Sequence, residues 1–302
     1  MNAIRRFVQR RPVAGYCVLV FAISWGGVLA VTAPGAMPAT PAQAARLFPA
    51  VVVAMLAGPS LAGLLLTALV AGKAGFRELA ARLLAWRVGI GWYAFALLAG
   101  PLAILAAWAA LSTVSPAFAP ALLASGDLPS TLVTGLAVAV GAGLLEELGW
   151  TGFAVPRLRL RHGILATGLM VGAVWGAWHF LSNVYWESGT LSGELPIPAF
   201  LAASGVMLLV GQLPAFRVLM VWVYDRTESL LVAMLMHWSL TAATLILGPA
   251  ALAGRASVTY GIVLSIAAWA VTAAVILVTR GRAVARGPRP AAAPRAAAGA
   301  AA

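Results

Sequence analysis

The sequence predicts an all-α fold, a polytopic membrane helix bundle with about eight transmembrane helices. Of its 302 residues, 62% are hydrophobic and only 9% are charged, which is far from the composition of a soluble globular domain. Apolar runs of about 20 residues recur along the chain, and each could cross a hydrocarbon core of about 30 Å as a helix. The cations collect in alternate connections between these runs, as they do in multi-pass membrane proteins.

The apolar runs define the predicted helices. They are 12–33, 48–72, 90–112, 130–154, 163–182, 198–224, 230–248 and 257–279. Because no water satisfies free backbone groups at that depth, such runs form helices or a closed barrel, and the lack of strict polar/apolar alternation favours helices. The first run imitates a signal peptide, but it is longer than a signal core and seven spans follow, so we expect an uncleaved helix.

The charges in the connections predict the orientation. One side is strongly basic, with these cations: Arg5, Arg6, Arg10, Arg11, Lys73, Arg77, Arg82, Arg87, Arg157, Arg159, Arg161, Arg226, Arg280, Arg282, Arg286, Arg289 and Arg295. The opposite connections contain two cations and three acids, namely Arg46, Arg255, Asp127, Glu187 and Glu194. The positive-inside rule therefore predicts a multi-pass protein of the cell membrane with both termini cytoplasmic. The net charge of +12 is explained by this topology, so the expected partner is the lipid bilayer and no nucleic acid.

Three further segments complete the predicted organisation. Residues 72–89 have apolar positions at helical spacing between cations, which indicates an amphipathic helix along the cytoplasmic interface. We expect one transmembrane domain over 1–283, followed by a disordered basic Ala/Pro-rich tail at 284–302. Cys17, the single cysteine, lies inside an apolar run, which excludes an intramolecular disulfide and a thiolate metal site.

Four glutamate or histidine residues lie within the apolar runs. Glu146 and Glu147 end the fourth run, His179 lies in the fifth and His237 in the seventh. Because a charge at the bilayer centre costs about 2.5–3.5 kcal/mol on insertion scales, such residues are candidates for a functional site. The alternative is that they hydrogen-bond neighbouring helices to one another. His162, beside Arg161, is expected on the surface.

Two histidines and a pair of carboxylates could activate water in either of two ways. In one, a glutamate takes the proton from water while histidines hold the water and stabilise the oxyanion. In the other, a divalent metal, with zinc the best candidate, binds His179, His237 and Glu146 and leaves one position for the water. The spacing leaves both mechanisms open.

Three motifs surround these residues. They contain Glu146, Glu147 and Thr151, then Trp175 and His179, then His237 and Thr241. In these motifs the sequence resembles the CPBP family of intramembrane proteases, which includes the type II CAAX prenyl endopeptidases and the bacterial Abi-type immunity proteins. The resemblance covers about residues 48–248, the expected core of the domain.

The resemblance implies a helix bundle whose internal cavity contains an endopeptidase site. Glu146 would be the general base, His179 would help to hold the water, His237 would belong to the oxyanion site and Glu147 would support them. Thr151, Trp175 and Thr241 would be supporting residues. The implied substrate is a membrane protein or a lipidated peptide, and we expect no tightly held catalytic metal, with zinc as the runner-up.

Two departures from the family pattern suggest other functions. Thr151 stands where the family has Arg, and Thr241 where it has Asn or Asp. A catalytically impaired pseudoprotease, acting as a membrane partner or immunity-type protein, is therefore an alternative. A proton or metal relay of the transporter class ranks below it, because inverted repeats are not apparent. Arg217, which follows a kink expected at Pro214 in the sixth run, is expected to snorkel to the cytoplasmic interface, although it could instead supply the cation missing at Thr151.

The depths of the candidate residues disagree. At 1.5 Å per residue, Glu146 lies about 16 Å from Arg157 and His237 about 16 Å from Arg226, but His179 lies about 27 Å from Arg161. We therefore expect the fifth helix to tilt strongly or to begin inside the membrane after a break at Pro156.

Overall fold

The computed structural model describes residues 3–32, 35–249, 252–282 and 284, and side chains from residue 6 onward. The main helices are α1 (Ala3–Arg10), α2 (Pro12–Thr32), α3 (Pro41–Leu83), α4 (Ile90–Ser112), α5 (Leu128–Arg159), α6 (Ile164–Trp186), α7 (Ile197–Val210), α8 (Gln212–Thr227), α9 (Leu230–Ile246) and α10 (Gly254–Val278). No strand is present in these ranges. The predicted tail lies, apart from residue 284, outside the described residues, and the single domain remains a prediction.

The helices confirm an all-α multi-pass membrane protein. Among the described residues, seven are long and apolar enough to cross a membrane when α7 and α8 are taken as one span, and the shorter apolar helix α9 occupies the remaining predicted run, 230–248. Helix α3 extends beyond its predicted run at both ends, because Thr40 caps its start and a kink at Gly72 lets it continue to Leu83. Gly72 has φ +54°, a conformation that glycine adopts without strain. The predicted amphipathic segment thus ends at Leu83 rather than at residue 89.

A break lies between α7 and α8, close to the kink predicted at Pro214. The helix is interrupted at Gly211, which has φ −89° and ψ −119°. Pro214 lies instead in the first turn of α8, where backbone N–H groups have no partner within the helix. The predicted kink at Pro214 was therefore wrong by three residues.

The basic ends of the helices meet at one end of the bundle. Arg159 of α5 pairs with Asp225 of α8 at 2.9 Å, and both are buried. Arg82 of α3 donates to the Tyr224 hydroxyl of α8 at 2.8 Å. We call this end the basic face.

The opposite connections also meet one another. Ala39 N donates to Trp186 O at 2.8 Å, so the connection after α2 contacts the end of α6. Arg255 N donates to Glu194 Oε1 at 2.9 Å, which joins the start of α10 to the connection before α7. We call this end, with Asp127, Glu187 and Glu194, the acidic face. The two faces agree with the predicted alternation of charge, while the assignment of the basic face to the cytoplasm remains a prediction.

Helix α8 lies at the centre of the bundle. Twelve of its sixteen residues are buried, and it packs against α4, α6, α7, α9 and α10. Because α8 passes directly behind α6 and α9, its side chains can reach the candidate residues on those helices.

Candidate active site

Helix α5 changes its winding where it carries the two glutamates. Ala142–Glu146 and Trp150–Ala154 are π-helical, with a short α-helical turn between them. Such wide turns inside α-helices occur frequently at functional sites. They lie in the middle of α5 and direct Glu146 and Glu147 to different surroundings.

Two glycines let neighbouring helices approach this part of α5. A Cβ on Gly143 would lie 2.7 Å from the Met234 carbonyl oxygen of α9, and one on Gly149 would lie 2.7 Å from the Pro59 carbonyl carbon of α3. Real Cβ atoms do not approach other atoms so closely, so only glycine fits at these positions. The contact at Gly143 brings α9, and with it His237, against the glutamate pair.

Glu147 is fully buried at the centre of a network of hydrogen bonds. The Arg217 Nη1 lies 2.9 Å from Oε1 and 3.0 Å from Oε2 of Glu147. His237 Nδ1 lies 2.7 Å from Oε1, and the Thr151 hydroxyl donates to Oε2. Because a carboxylate only accepts hydrogen bonds, this network fixes His237 with its Nδ1–H on Glu147 and its Nε2 directed away.

Arg217 supplies the cation that is missing at Thr151. The expected interfacial snorkelling of Arg217 was wrong, because the residue is 0% exposed and its side chain pairs with Glu147. Its guanidinium carbon also lies 4.3 Å from the centre of the Trp175 ring, within the range of a cation–π contact. The cation comes from a different helix than in the family pattern, and Thr151 keeps a contact with the same carboxylate.

Glu146 faces a cavity rather than the network of Glu147. Trp175 Nε1 donates to its Oε2 at 2.8 Å, and its Oε1 lies 3.9 Å from His237 Nε2. The cavity has a volume of about 340 Å³, and its walls are mainly apolar. Glu146 and His237 are each only 2% exposed, so they lie at the closed end of the cavity.

His179 lies farther along the same cavity. Its Nδ1 lies 3.3 Å from Asn183 Oδ1, and its ring packs edge-on against Trp178 with centroids 4.6 Å apart. The residues after it, Phe180–Trp186, are π-helical. No hydrogen bond joins His179 to Glu146 or His237 in the described residues.

The predicted break at Pro156 was wrong, because Pro156 lies inside the helical segment Val155–Arg159. The disagreement in depth has a simpler explanation. Trp175 is eleven residues after Ile164, or about 16 Å along α6, which is the depth of Glu146. Trp175 therefore meets Glu146, and His179 lies one turn farther from the basic face.

The supporting residues proposed from the sequence are all near this site. Thr151 and Trp175 contact Glu147 and Glu146 respectively, while Thr241 lines the cavity one turn after His237. Asn183 was not predicted as a site residue, although its position four residues after His179 on one helix was a usable signal. Glu187, which was expected only in a connection, lines the cavity at the end of α6.

The donor atoms do not fit a resident metal. Among the described residues, no three His, Cys, Asp or Glu side chains are grouped as a metal site. Within the runner-up set, His237 Nε2 and Glu146 Oε1 are 3.9 Å apart, close to the separation of two zinc ligands, but His179 is not grouped with them and its Nδ1 lies against Asn183, so a third protein ligand is missing. No step is therefore assigned to a metal, and the absence of a catalytic metal remains a prediction.

We expect the purified protein to contain well under one equivalent of zinc, because its candidate ligands are engaged with Glu147, Trp175 and Asn183. Elemental analysis of the protein, purified without chelator, measures this directly. Stoichiometric zinc that disappears in both His179→Ala and His237→Ala would contradict the metal-free prediction.

Comparison with known families agrees with the geometry. Residues 128–243 match the family model described as "Type II CAAX prenyl endopeptidase Rce1-like". The matched segment runs from the first residue of α5 into α9 and contains the four candidate residues Glu146, Glu147, His179 and His237. The resemblance to the CPBP family of membrane proteases is thereby confirmed. No match was found among curated proteins.

Proposed function

We propose that this protein with an Rce1-like segment is a membrane-embedded endopeptidase that hydrolyses a peptide bond of a membrane-associated substrate. The observation that carries the proposal is the pair of Glu146 Oε1 and His237 Nε2, 3.9 Å apart at the closed end of a cavity. This separation is too long for a direct hydrogen bond, but one water molecule could lie about 2.8 Å from both atoms. The cavity, at about 340 Å³, has the size of a small-ligand site, and its apolar walls suit a short apolar peptide segment.

In the proposed reaction, Glu146 is the general base. It takes a proton from the water as the water oxygen attacks the carbonyl carbon of the scissile bond. When the tetrahedral intermediate collapses, the carbon–nitrogen bond breaks and Glu146 returns the proton to the departing amine. The Trp175 N–H on Oε2 leaves Oε1 of Glu146 to handle the proton.

In the proposed reaction, His237 holds the attacking water, and Glu147 holds the His237 ring in its orientation. The resemblance implies the reverse division, with His179 on the water, but His237 is the histidine next to Glu146. Because its Nδ1–H is directed to Glu147, its Nε2 can accept a hydrogen bond from the water. Glu147, held by Arg217 and Thr151, does not line the cavity and acts through His237.

His179 and Asn183 line the part of the cavity where the carbonyl oxygen of the substrate would become an oxyanion. The Asn183 Oδ1 accepts from the Ser182 hydroxyl at 2.6 Å and also faces His179 Nδ1. Its amide nitrogen is therefore left as a donor, and a donor aimed at the developing negative charge stabilises the transition state.

The test uses the purified protein in liposomes with a set of apolar membrane peptides in oxygen-18 water. Hydrolysis places oxygen-18 in the new carboxyl group, which mass spectrometry of the fragments detects. Cleavage without incorporation, or no cleavage of any membrane peptide by protein that is folded, would contradict the proposal.

The hydrogen bond from Trp175 Nε1 to Glu146 gives a second test of the same reaction, in which a partial loss of activity is expected. Trp175→Phe keeps an aromatic ring for Arg217 but removes the N–H on Glu146, and a hydrogen bond to a charged group contributes about 1.5–3 kcal/mol. We therefore expect kcat to fall by roughly 10- to 100-fold in steady-state assays. Trp150→Phe is the matched control, since Trp150 is equally buried and its Nε1 has no hydrogen-bond partner among the described residues. Equal effects of the two substitutions would contradict a specific role for the Trp175 N–H.

The pseudoprotease alternative has lost its main support. It rested on the missing cation at Thr151, and Arg217 occupies that role at 2.9 Å from Glu147. Thr241 remains as a departure, but it lines the cavity without bonding to either glutamate.

A further inference from the structure

The walls of the cavity come from one half of the bundle. On every helix that contributes, the lining residues lie between the middle of the helix and its end at the acidic face, with four exceptions within about a turn of the middle. These are Glu146, Leu213, Phe216 and His237. Among the described residues, none that lies more than about one turn beyond the middle toward the basic face lines the cavity. The cavity therefore runs from Glu146 and His237 toward the acidic face.

Glu187 stands at that end of the cavity. It follows the last residue of α6, lines the cavity and is only partly buried. Its side chain has no hydrogen-bond or ion-pair partner among the described residues, and burial raises the pKa of its carboxyl to about 7, as expected where no cation is near. A carboxylate that faces a mainly apolar space without a partner favours a ligand that brings a positive charge.

The charges of the whole lining agree with this. Among the described residues that line the cavity, Glu146 and Glu187 are the acids, and no Lys or Arg is present. Arg217, a buried cation that packs on Trp175 of the wall, is paired with Glu147, which does not line the cavity.

We propose that the cavity receives an apolar peptide segment from the extracytoplasmic side of the membrane, and that Glu187 binds a basic side chain of this segment. That the ligand is a peptide rests on the proposed peptidase function. That it enters from the extracytoplasmic side of the membrane rests on the positive-inside rule. Glu187 is eight residues after His179, or about 12 Å along the helix. Since an extended chain covers about 3.3–3.6 Å per residue, the basic side chain lies three or four residues from the bond that is cut.

The side of access can be measured without any hydrolysis. In a Cys17→Ser background, which removes the single native cysteine, Thr244→Cys places a thiol on the cavity wall and Leu160→Cys places one at the basic face. A membrane-impermeant maleimide added to intact cells is expected to label Thr244→Cys, and to label Leu160→Cys only after permeabilisation. The reverse pattern, or a Thr244→Cys thiol that reacts from neither side, would overturn the proposal.

The preference for a basic side chain is measured by protection of the same thiol. In proteoliposomes, apolar peptides with one Arg are expected to slow the labelling of Thr244→Cys about tenfold more than matched peptides with Glu, as expected for a charged hydrogen bond. Glu187→Gln should remove this difference. Glu194→Gln, an exposed carboxylate of the acidic face outside the cavity, should retain it.

The outcomes separate this proposal from the peptidase assignment. Protection by Arg peptides with no hydrolysis would contradict the peptidase and leave the binding site intact. Hydrolysis with equal protection by Arg and Glu peptides, or a preference that survives Glu187→Gln, would overturn the role of Glu187.

Discussion

Replacing Glu146 by Gln is expected to lower kcat for peptide hydrolysis by about 10²- to 10⁴-fold, the usual contribution of a general base. Gln has nearly the same shape and can still accept the hydrogen bond from Trp175, so the cavity should keep its form. It cannot take a proton from water at neutral pH. The substitution should therefore change kcat while KM stays close to that of the unchanged protein.

Two companion variants make this result specific. Glu194→Gln removes an exposed carboxylate far from the network and should leave kcat unchanged. Glu147→Gln leaves the cavity carboxylate in place but weakens the hold on Arg217 and His237, so a smaller loss of kcat with a loss of thermal stability is expected. Full activity of Glu146→Gln would show that another group activates the water.

Most of the helices could be predicted from individual apolar runs of the sequence. Eight apolar runs correspond to helices, because the cost of unpaired backbone groups in lipid leaves a long apolar run no other regular structure. The helix ends were less predictable. Helix α3 continues through a kink at Gly72 to Leu83. The part after Gly72 carries charged residues, so the hydrophobicity of the sequence does not show that the helix continues there.

The site was predictable where its chemistry is local in sequence. Glu146, Glu147, His179 and His237 stood out because charges are rare in apolar runs. Three of them line one cavity, and Glu147 lies behind its wall and bonds to His237. The winding of α5 and α6 was not predictable, because a π-turn adds a residue without changing the hydrophobic character of the run.

Long-range pairs were the other part that sequence could not supply. Arg217 is 70 residues from Glu147 in the sequence. From the sequence alone, Arg217 could lie either at the membrane interface or buried against another helix. Only the central placement of α8 decides that its guanidinium is buried against Glu147 and Trp175. Glu187 was read as a loop acid for the same reason, since its contact with the cavity depends on how α6 ends.

Arg217→Met is expected to destabilise the protein by about 3–5 kcal/mol and to abolish measurable peptidase activity, because it leaves the buried Glu147 charge without a cation. Met has a similar length and can fill the space, so the effect comes from the lost charge and hydrogen bonds rather than from a cavity. Thermal unfolding in detergent and steady-state kinetics measure the two losses. The loss of activity should exceed what instability explains, since His237 loses its fixed orientation when Glu147 moves.

Adding Thr151→Arg to Arg217→Met places a cation one turn after Glu147, where the family pattern has it, and should restore part of both stability and activity. Arg159→Met is the matched control, because it breaks another buried ion pair, with Asp225 at 2.9 Å, at the basic face. Thr151→Arg cannot reach Asp225 in the role of Arg159, so it should not rescue that variant. Rescue of both variants would indicate a general stabilising effect of an added cation, and rescue of neither would contradict the conclusion that Arg217 replaces the arginine missing at Thr151. Rescue of Arg217→Met alone is the result expected if one carboxylate, Glu147, requires one cation and accepts it from either helix.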